Sequence, residues 1–287
     1  MGSTARTIAV NGIDLCTEAF GNPADQAVLL IHGAGESMLA WDAEFVARLA
    51  AGGRYVVRYD SRDAGRSTTF PVGAPPYGLA DLVADAAGLI IALGLERVHL
   101  VGMSQGSAVA QLVALDHPQL VASLTVASGT PGGPGHQYAD LPAMSAELAQ
   151  FFEGAAPEPD WTDLAAVTDY LAESLRPFAA ASRPFDLAAQ QESAAKVVHR
   201  AANIAAQLTN PYLLDAGAPW RNRLGDIAVP TLVYHGDEDP LFPLDHGRIL
   251  AREIPNAQFR PLPHTGHEVF PPHTWDTVIS DLLTHTT

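Results

Sequence analysis

Among 287 residues there is one cysteine, Cys16, and one lysine, Lys196. A single thiol cannot form an internal disulfide, so the fold has to rest on packing, and a reducing, cytoplasmic setting is expected. Positive charge is scarce as well: 16 Lys and Arg face 32 Asp and Glu, a formal net charge of −16. Such a chain lacks the basic stripe that nucleic acid or an anionic membrane surface would need, so neither is an expected partner. Long apolar runs are missing, and stretches such as 27–31 are far too short to cross a bilayer. The opening residues Met1 to Arg6 lack the apolar core of a signal peptide, and Arg6 stands where a myristoylation signal has Ser or Thr. No Cys/His ligand spacing and no phosphate-cradling glycine loop occurs, so neither metal nor organic cofactor is expected. What is present is 47% apolar and 17% charged, an ordinary globular composition. The length suffices for one core with a smaller module attached.

The first half alternates short β-branched runs with helical periods. Runs at 27–31, 55–59 and 98–101 end at Gly, His or Asp and suit strands buried on both faces of a parallel sheet. Leu79, Leu82, Val83, Ala86, Leu89, Ile90 and Leu93 recur at steps of three and four, one stripe of an amphipathic helix that Gly94 stops. A helix over 105–116 ends at His117-Pro118, and a strand over 120–126 follows. Strand–helix–strand repetition of this kind implies right-handed crossovers and helices on both faces of the sheet. Asn11-Gly12 between 7–10 and 14–20 predicts a hairpin at an antiparallel edge. Cys16 falls in that alternating stretch and reads as a small buried strand residue.

Beyond Gly129 the character changes. A breaker cluster at 130–135 opens a segment of helical stretches separated by prolines, with no convincing strand. Alternation resumes with strands over 231–235 and 259–262 and helices over 245–253 and 275–284. Residues 1–130 and 224–287 therefore form the expected core domain, and 131–223 an inserted helical cap over the strand ends. Ligands of parallel sheets bind at the carboxyl ends of strands, so the cap would roof a pocket.

Gly102-Met103-Ser104-Gln105-Gly106 matches G-x-S-x-G between a buried strand and an apolar-periodic helix, the setting of a nucleophile elbow. An incidental serine in a glycine-rich turn is the competing reading, and the flanking elements weigh against it. At a helix start, free N–H groups favour developing negative charge. His32-Gly33-Ala34-Gly35 ends an earlier strand, where a loop can present a second backbone donor. The Ala34 and Gln105 N–H groups are the candidate oxyanion hole, and His32 reads as a loop-orienting hydrogen bonder. A plain tight turn around a buried His32 accounts for that motif equally well. A hydroxyl needs a base, and the base a partner that holds its tautomer. Elbow sites carry the acid and then the histidine downstream of the serine. Gly236-Asp237-Glu238-Asp239-Pro240 and His264-Thr265-Gly266-His267 each follow a strand. Asp239 and His267 are the candidates, with Asp237 expected to serve the turn and His264 the surface.

At this point a resemblance is carried by residues. Gly236, Asp239 and Pro243, with Gly266-His267, look like the acid and histidine blocks of the α/β-hydrolase superfamily. The stretch 58–69, with Pro76-Tyr77-Gly78 and 113–117, resembles the aclacinomycin methylesterase subgroup, whose members remove a methyl ester in anthracycline polyketide biosynthesis. The resemblance covers roughly 8–130 and 226–285, and departs from the subgroup at His32-Gly33, where that subgroup has Met-Gly. It implies an α/β-hydrolase fold: a mostly parallel twisted sheet, helices on both faces and an inserted helical cap. It also implies a serine esterase acting through Ser104, His267 and Asp239, while a bulky hydrophobic ester is expected from eight of the chain's 21 aromatics, which fall at 151–220 within the cap. Carbon–carbon bond hydrolases, lactonases and cofactor-free perhydrolases use the same triad, and a ligand-binding receptor on the scaffold is the non-enzymatic alternative. A pocket is expected to involve His32, Gly33, Met103, Trp161, Tyr170, Tyr212 and Trp220, around a small hydrophobic molecule. The molecule is expected to be a monomer or homodimer.

Overall fold

A computed structural model describes residues 5–133, 138–154 and 157–287. Met1 to Thr4 of the opening segment, and Pro134-Gly135 of the breaker cluster, lie outside the described residues. The chain opens with β1 (Arg6–Val10) and β2 (Ile13–Phe20), joined by Asn11-Gly12. Both turn residues have positive φ, 49° and 79°, as a type I′ hairpin turn requires. Next come β3 (Gln26–Ile31), α1 (Ala43–Ala51), β4 (Arg54–Tyr59), α2 (Leu79–Ala92), β5 (Val98–Met103), α3 (Gln105–Asp116) and β6 (Val121–Ala127). The described residues up to the next strand hold α4 (Ala146–Glu153), α5 (Leu164–Ser174), α6 (Leu187–Arg200) and α7 (Ile204–Thr209) without a strand. The chain closes with β7 (Thr231–Gly236), α8 (Asp245–Glu253), β8 (Gln258–Leu262) and α9 (Trp275–His285).

The eight strands form one sheet in the order β1-β2-β4-β3-β5-β6-β7-β8. Only the β1–β2 and β2–β4 pairings are antiparallel, so the antiparallel part sits at the expected edge. Strand alternation distributes side chains between two cores. Ala27, Leu29, Ile31, Leu100 and Leu124 face the helices α2 and α3. Val28, Leu30, Val101 and Ala127 face α1 and α9 around Trp41, Phe45 and Trp275. The expected start of β6 at Leu120 falls instead in a 3-10 turn, Pro118–Leu120, because Pro118 favours the first turn of a helix. Helix α1 goes beyond the elements expected from pattern. Its signal is nonetheless present: Asp42 caps Glu44 N, and Phe45, Val46 and Leu49 make a short buried stripe.

The sheet's lower end holds a pH-sensitive contact. His99 on β5 is buried, and its Nδ1 lies 2.8 Å from Ser123 Oγ on β6. Burial, with His285 nearby, pushes its pKa down to about 4. The unfolded chain takes up this proton near pH 6.5 and the folded chain only near 4, so protons favour unfolding between those values. Burial lowers His235, His246 and His285 in the same direction. The urea midpoint is therefore expected to fall steadily from pH 7 to pH 4.5, and His99→Gln to flatten part of that slope. An unchanged slope in the variant would remove His99 from the account.

Candidate active site

Four structural elements converge at the carboxyl ends of the parallel strands. The elbow lies between β5 and α3. Ser104 there has φ 52° and ψ −115°, a conformation rare for a residue with a Cβ. Such strain costs on the order of 1–3 kcal/mol and persists only where the surroundings enforce it. They do. A Cβ on Gly102 would come within 2.2 Å of Gly106 O, and one on Gly106 within 2.2 Å of Ile31 O. The two glycines let three backbone segments pack against each other and drive the serine side chain out of the turn.

His267 meets Ser104 from the loop after β8. Its Nε2 is 2.9 Å from Ser104 Oγ, and its Nδ1 is 2.8 Å from Asp239 Oδ2. The other carboxylate oxygen of Asp239 accepts N–H groups from Leu241 and Phe242, at 2.9 and 2.8 Å. Burial alone would raise the Asp239 pKa, but the charge and hydrogen bond of His267 and the further partners win, and it falls below its usual range. An ionised Asp239 fixes the proton of His267 on Nδ1, leaving Nε2 free to accept from the serine. His235, at the end of β7, backs this arrangement with Nε2 2.6 Å from Phe242 O. Asp237 receives the Thr265 N–H at 3.4 Å and does not reach His267, while the His264 side chain is exposed.

Gly266 has a steric role. A Cβ there would lie 2.2 Å from Phe178 O, and the same carbonyl accepts the His267 N–H at 2.8 Å. The phenyl rings of Phe178 and Phe242 flank the imidazole, with centroids 6.2 and 5.4 Å away. Phe242 carried no sequence signal beyond being apolar near the acid.

The loop after β3 carries the candidate second donor, the Ala34 N–H. Ser61 N–H can only donate, and it points at His32 Nε2 from 3.2 Å, so the His32 proton sits on Nδ1. That Nδ1–H donates to Gly33 O at 2.8 Å. Gly33 C=O and Ala34 N–H belong to one planar trans peptide, so holding the carbonyl aims the N–H the opposite way. Among the described residues neither Ala34 N–H nor Gln105 N–H has a protein acceptor. The next two carbonyls are held from the segment after α6. Tyr212 Oη donates to Ala34 O at 3.2 Å, and Gln207 Nε2 to Gly35 O at 3.2 Å. The Gln105 side chain reaches the same segment, donating to Pro211 O at 3.0 Å.

The remaining expected pocket residues divide. Gly33 adjoins the nucleophile: a Cβ on it would be 3.4 Å from Ser104 Cβ. Trp161 and Tyr170 pack edge to face at 6.1 Å, and Trp161 leans on the small core of Val167, Val198 and Ile204. Trp220 is a correction. It is buried in the main core with its indole N–H on Gln111, because the core resumes before the expected boundary at 223. Met103 likewise points into the core beneath the sheet, since strand alternation sends it opposite to its neighbours. Among the described residues no group of three or more His, Cys, Asp or Glu is placed to hold a metal ion, and no helix is long and apolar enough to cross a membrane.

The family model described as alpha/beta hydrolase fold matches residues 26–274. A rhodomycin D methylesterase from Streptomyces sp. strain C5 is 44% identical over 124 residues, which span 43% of this chain and 42% of that protein. A 2-hydroxy-6-oxononadienedioate/2-hydroxy-6-oxononatrienedioate hydrolase from Cupriavidus pinatubonensis is 31% identical over 84% of this chain and 80% of its own. Among solved structures, a hydrolase from Pseudomonas aeruginosa PA01 superposes with a TM-score of 0.71 at 26% identity, covering 97% of this chain and 98% of that one.

The two aspartates of the Gly236–Pro240 loop are separable by experiment. Asp239→Asn is expected to lower kcat by roughly 10⁴, since the amide would hold the wrong imidazole tautomer. Asp237→Asn should stay within a few-fold of the parent. A larger loss at position 237 would reverse the assignment.

Proposed function

The chain belongs to the α/β-hydrolase family, and from that premise we propose that it is a serine carboxylic ester hydrolase acting on a bulky hydrophobic ester of the methyl ester class. The observation that carries the reading is the aligned relay from Ser104 through His267 to Asp239. Ser104 attacks the ester carbonyl while His267 Nε2 takes its proton, and the Ala34 and Gln105 N–H groups receive the oxyanion. His267 returns the proton to the departing alcohol. It then activates water, which releases the acid and restores the serine. The helical segment between β6 and the core residue Trp220 acts as the cap, and Tyr212, Tyr170 and Phe178 are its proposed walls toward the substrate, joined by Phe242 from the loop after β7. The 44% identity to a methylesterase supports the methyl ester class over the matched segment.

A carbon–carbon bond hydrolase is the second reading. It is favoured by the dienedioate hydrolase relative, whose match runs over most of both chains. Against it stands Glu36, a carboxyl beside the nucleophile that would repel a dicarboxylate. Mass spectrometry of products from aromatic methyl esters, lactones and vinylogous diketones separates the readings. Methanol and a free acid are expected, and Ser104→Ala should lower kcat by on the order of 10⁶. Cleavage of a diketone with no ester turnover would overturn the ester reading.

A further inference from the structure

Glu36 lies in the loop between β3 and α1, and its Oε2 accepts the Gly33 N–H at 2.6 Å. A Cβ on Gly33 would sit 2.9 Å from that oxygen and 3.4 Å from Ser104 Cβ, so the carboxyl and the serine crowd the same point beside one glycine. The titratable neighbours it feels are His32 and His267, with no Arg or Lys among them. The Tyr212 hydroxyl faces it from the segment after α7. Burial raises its pKa, against the pull of His32 and the Gly33 hydrogen bond.

The acyl-transfer scheme gives this group no task beyond holding the Gly33 peptide. His267 already has its orienting acid, and the oxyanion donors are backbone groups. A carboxylate next to a centre where negative charge develops works against the reaction. Apart from the Gly33 N–H no donor, and no Arg or Lys, meets it among the described residues, so a group that answers its charge has to come from the substrate. We infer that Glu36 sets the charge of the substrate group admitted beside the scissile carbonyl, accepting an uncharged or cationic substituent and turning away a carboxylate. The inference rests on the serine hydrolase reading of Ser104 and His267.

The probes are three p-nitrophenyl alkylphosphonates whose alkyl chains end in carboxamide, ammonium or carboxylate. Each reacts once with an activated serine, so p-nitrophenolate release at pH 8 reports charge preference without requiring turnover. The parent is expected to react with the ammonium and carboxamide reagents at least about tenfold faster than with the carboxylate, a modest figure for like charges several ångströms apart in a half-exposed site. In Glu36→Gln, which keeps an oxygen for Gly33 N–H, the three rates should come within twofold, and Glu36→Asp should restore the ranking. Raising the salt from 20 to 500 mM should compress the ranking in the parent itself, a check that does not depend on any variant folding. A parent without the ranking, or an unchanged ranking in Glu36→Gln, overturns the inference. A parent that is phosphonylated with this ranking yet inert to every carboxylic ester refutes the ester reading and leaves Glu36 standing. A parent that reacts with no reagent refutes both.

Discussion

The backbone contact between the β5–α3 turn and the end of β3 is the constraint on which the site depends. Gly106 lies against Ile31 O, and Gly102 against Gly106 O, at separations that no Cβ could share. This packing holds Ser104 at positive φ and lifts its hydroxyl clear of the sheet. It also sets the elbow beside the loop that begins at His32, so the two proposed oxyanion donors come from segments locked together by the same contact. The cost of the strained serine is met by the two cores on either side of the sheet, which bury nearly every residue of β3 and β5.

A second dependence runs from the helical segment to the site. The peptides of the loop after β3 are fixed one by one, by Glu36, His32, Tyr212 and Gln207. Two of these four come from beyond α6. Gln207 is fully buried and also accepts the Gly65 N–H, which ties the segment to the loop after β4. The histidine loop is held similarly, by Phe178 O on the His267 N–H. The helical segment proposed as the cap thus also holds the loops of the site, so changes there would alter rate as well as substrate choice.

The site is acidic in keeping with the whole chain, yet its carboxylates play different parts. Asp239 is surrounded by donors and stays ionised, because the His267 imidazole and two N–H groups outweigh burial. Glu36 has one backbone donor and no Arg or Lys beside it, and burial moves its pKa upward. Equal chemistry gives opposite shifts because the number of donors differs.

Sequence alone determined what short-range rules control. Period-two runs, the Asn11-Gly12 turn, the stop at Gly94 and the strand–turn–helix around Ser104 each depend on neighbours within a few residues. The chain order of Ser104, Asp239 and His267 was legible for the same reason, since each follows a strand end. Tertiary structure decided the rest. Whether an aromatic packs a core or faces a cleft depends on helix placement, which is why Trp220 and Met103 proved to be core residues. Phe242 and Glu36 gain their importance from what folds beside them, namely His267 and Ser104. Gly266 reads in sequence as a turn residue, and only the approach of the Phe178 carbonyl shows that its missing Cβ is what matters. Contacts between segments distant in sequence leave no periodicity, so packing alone assigns them.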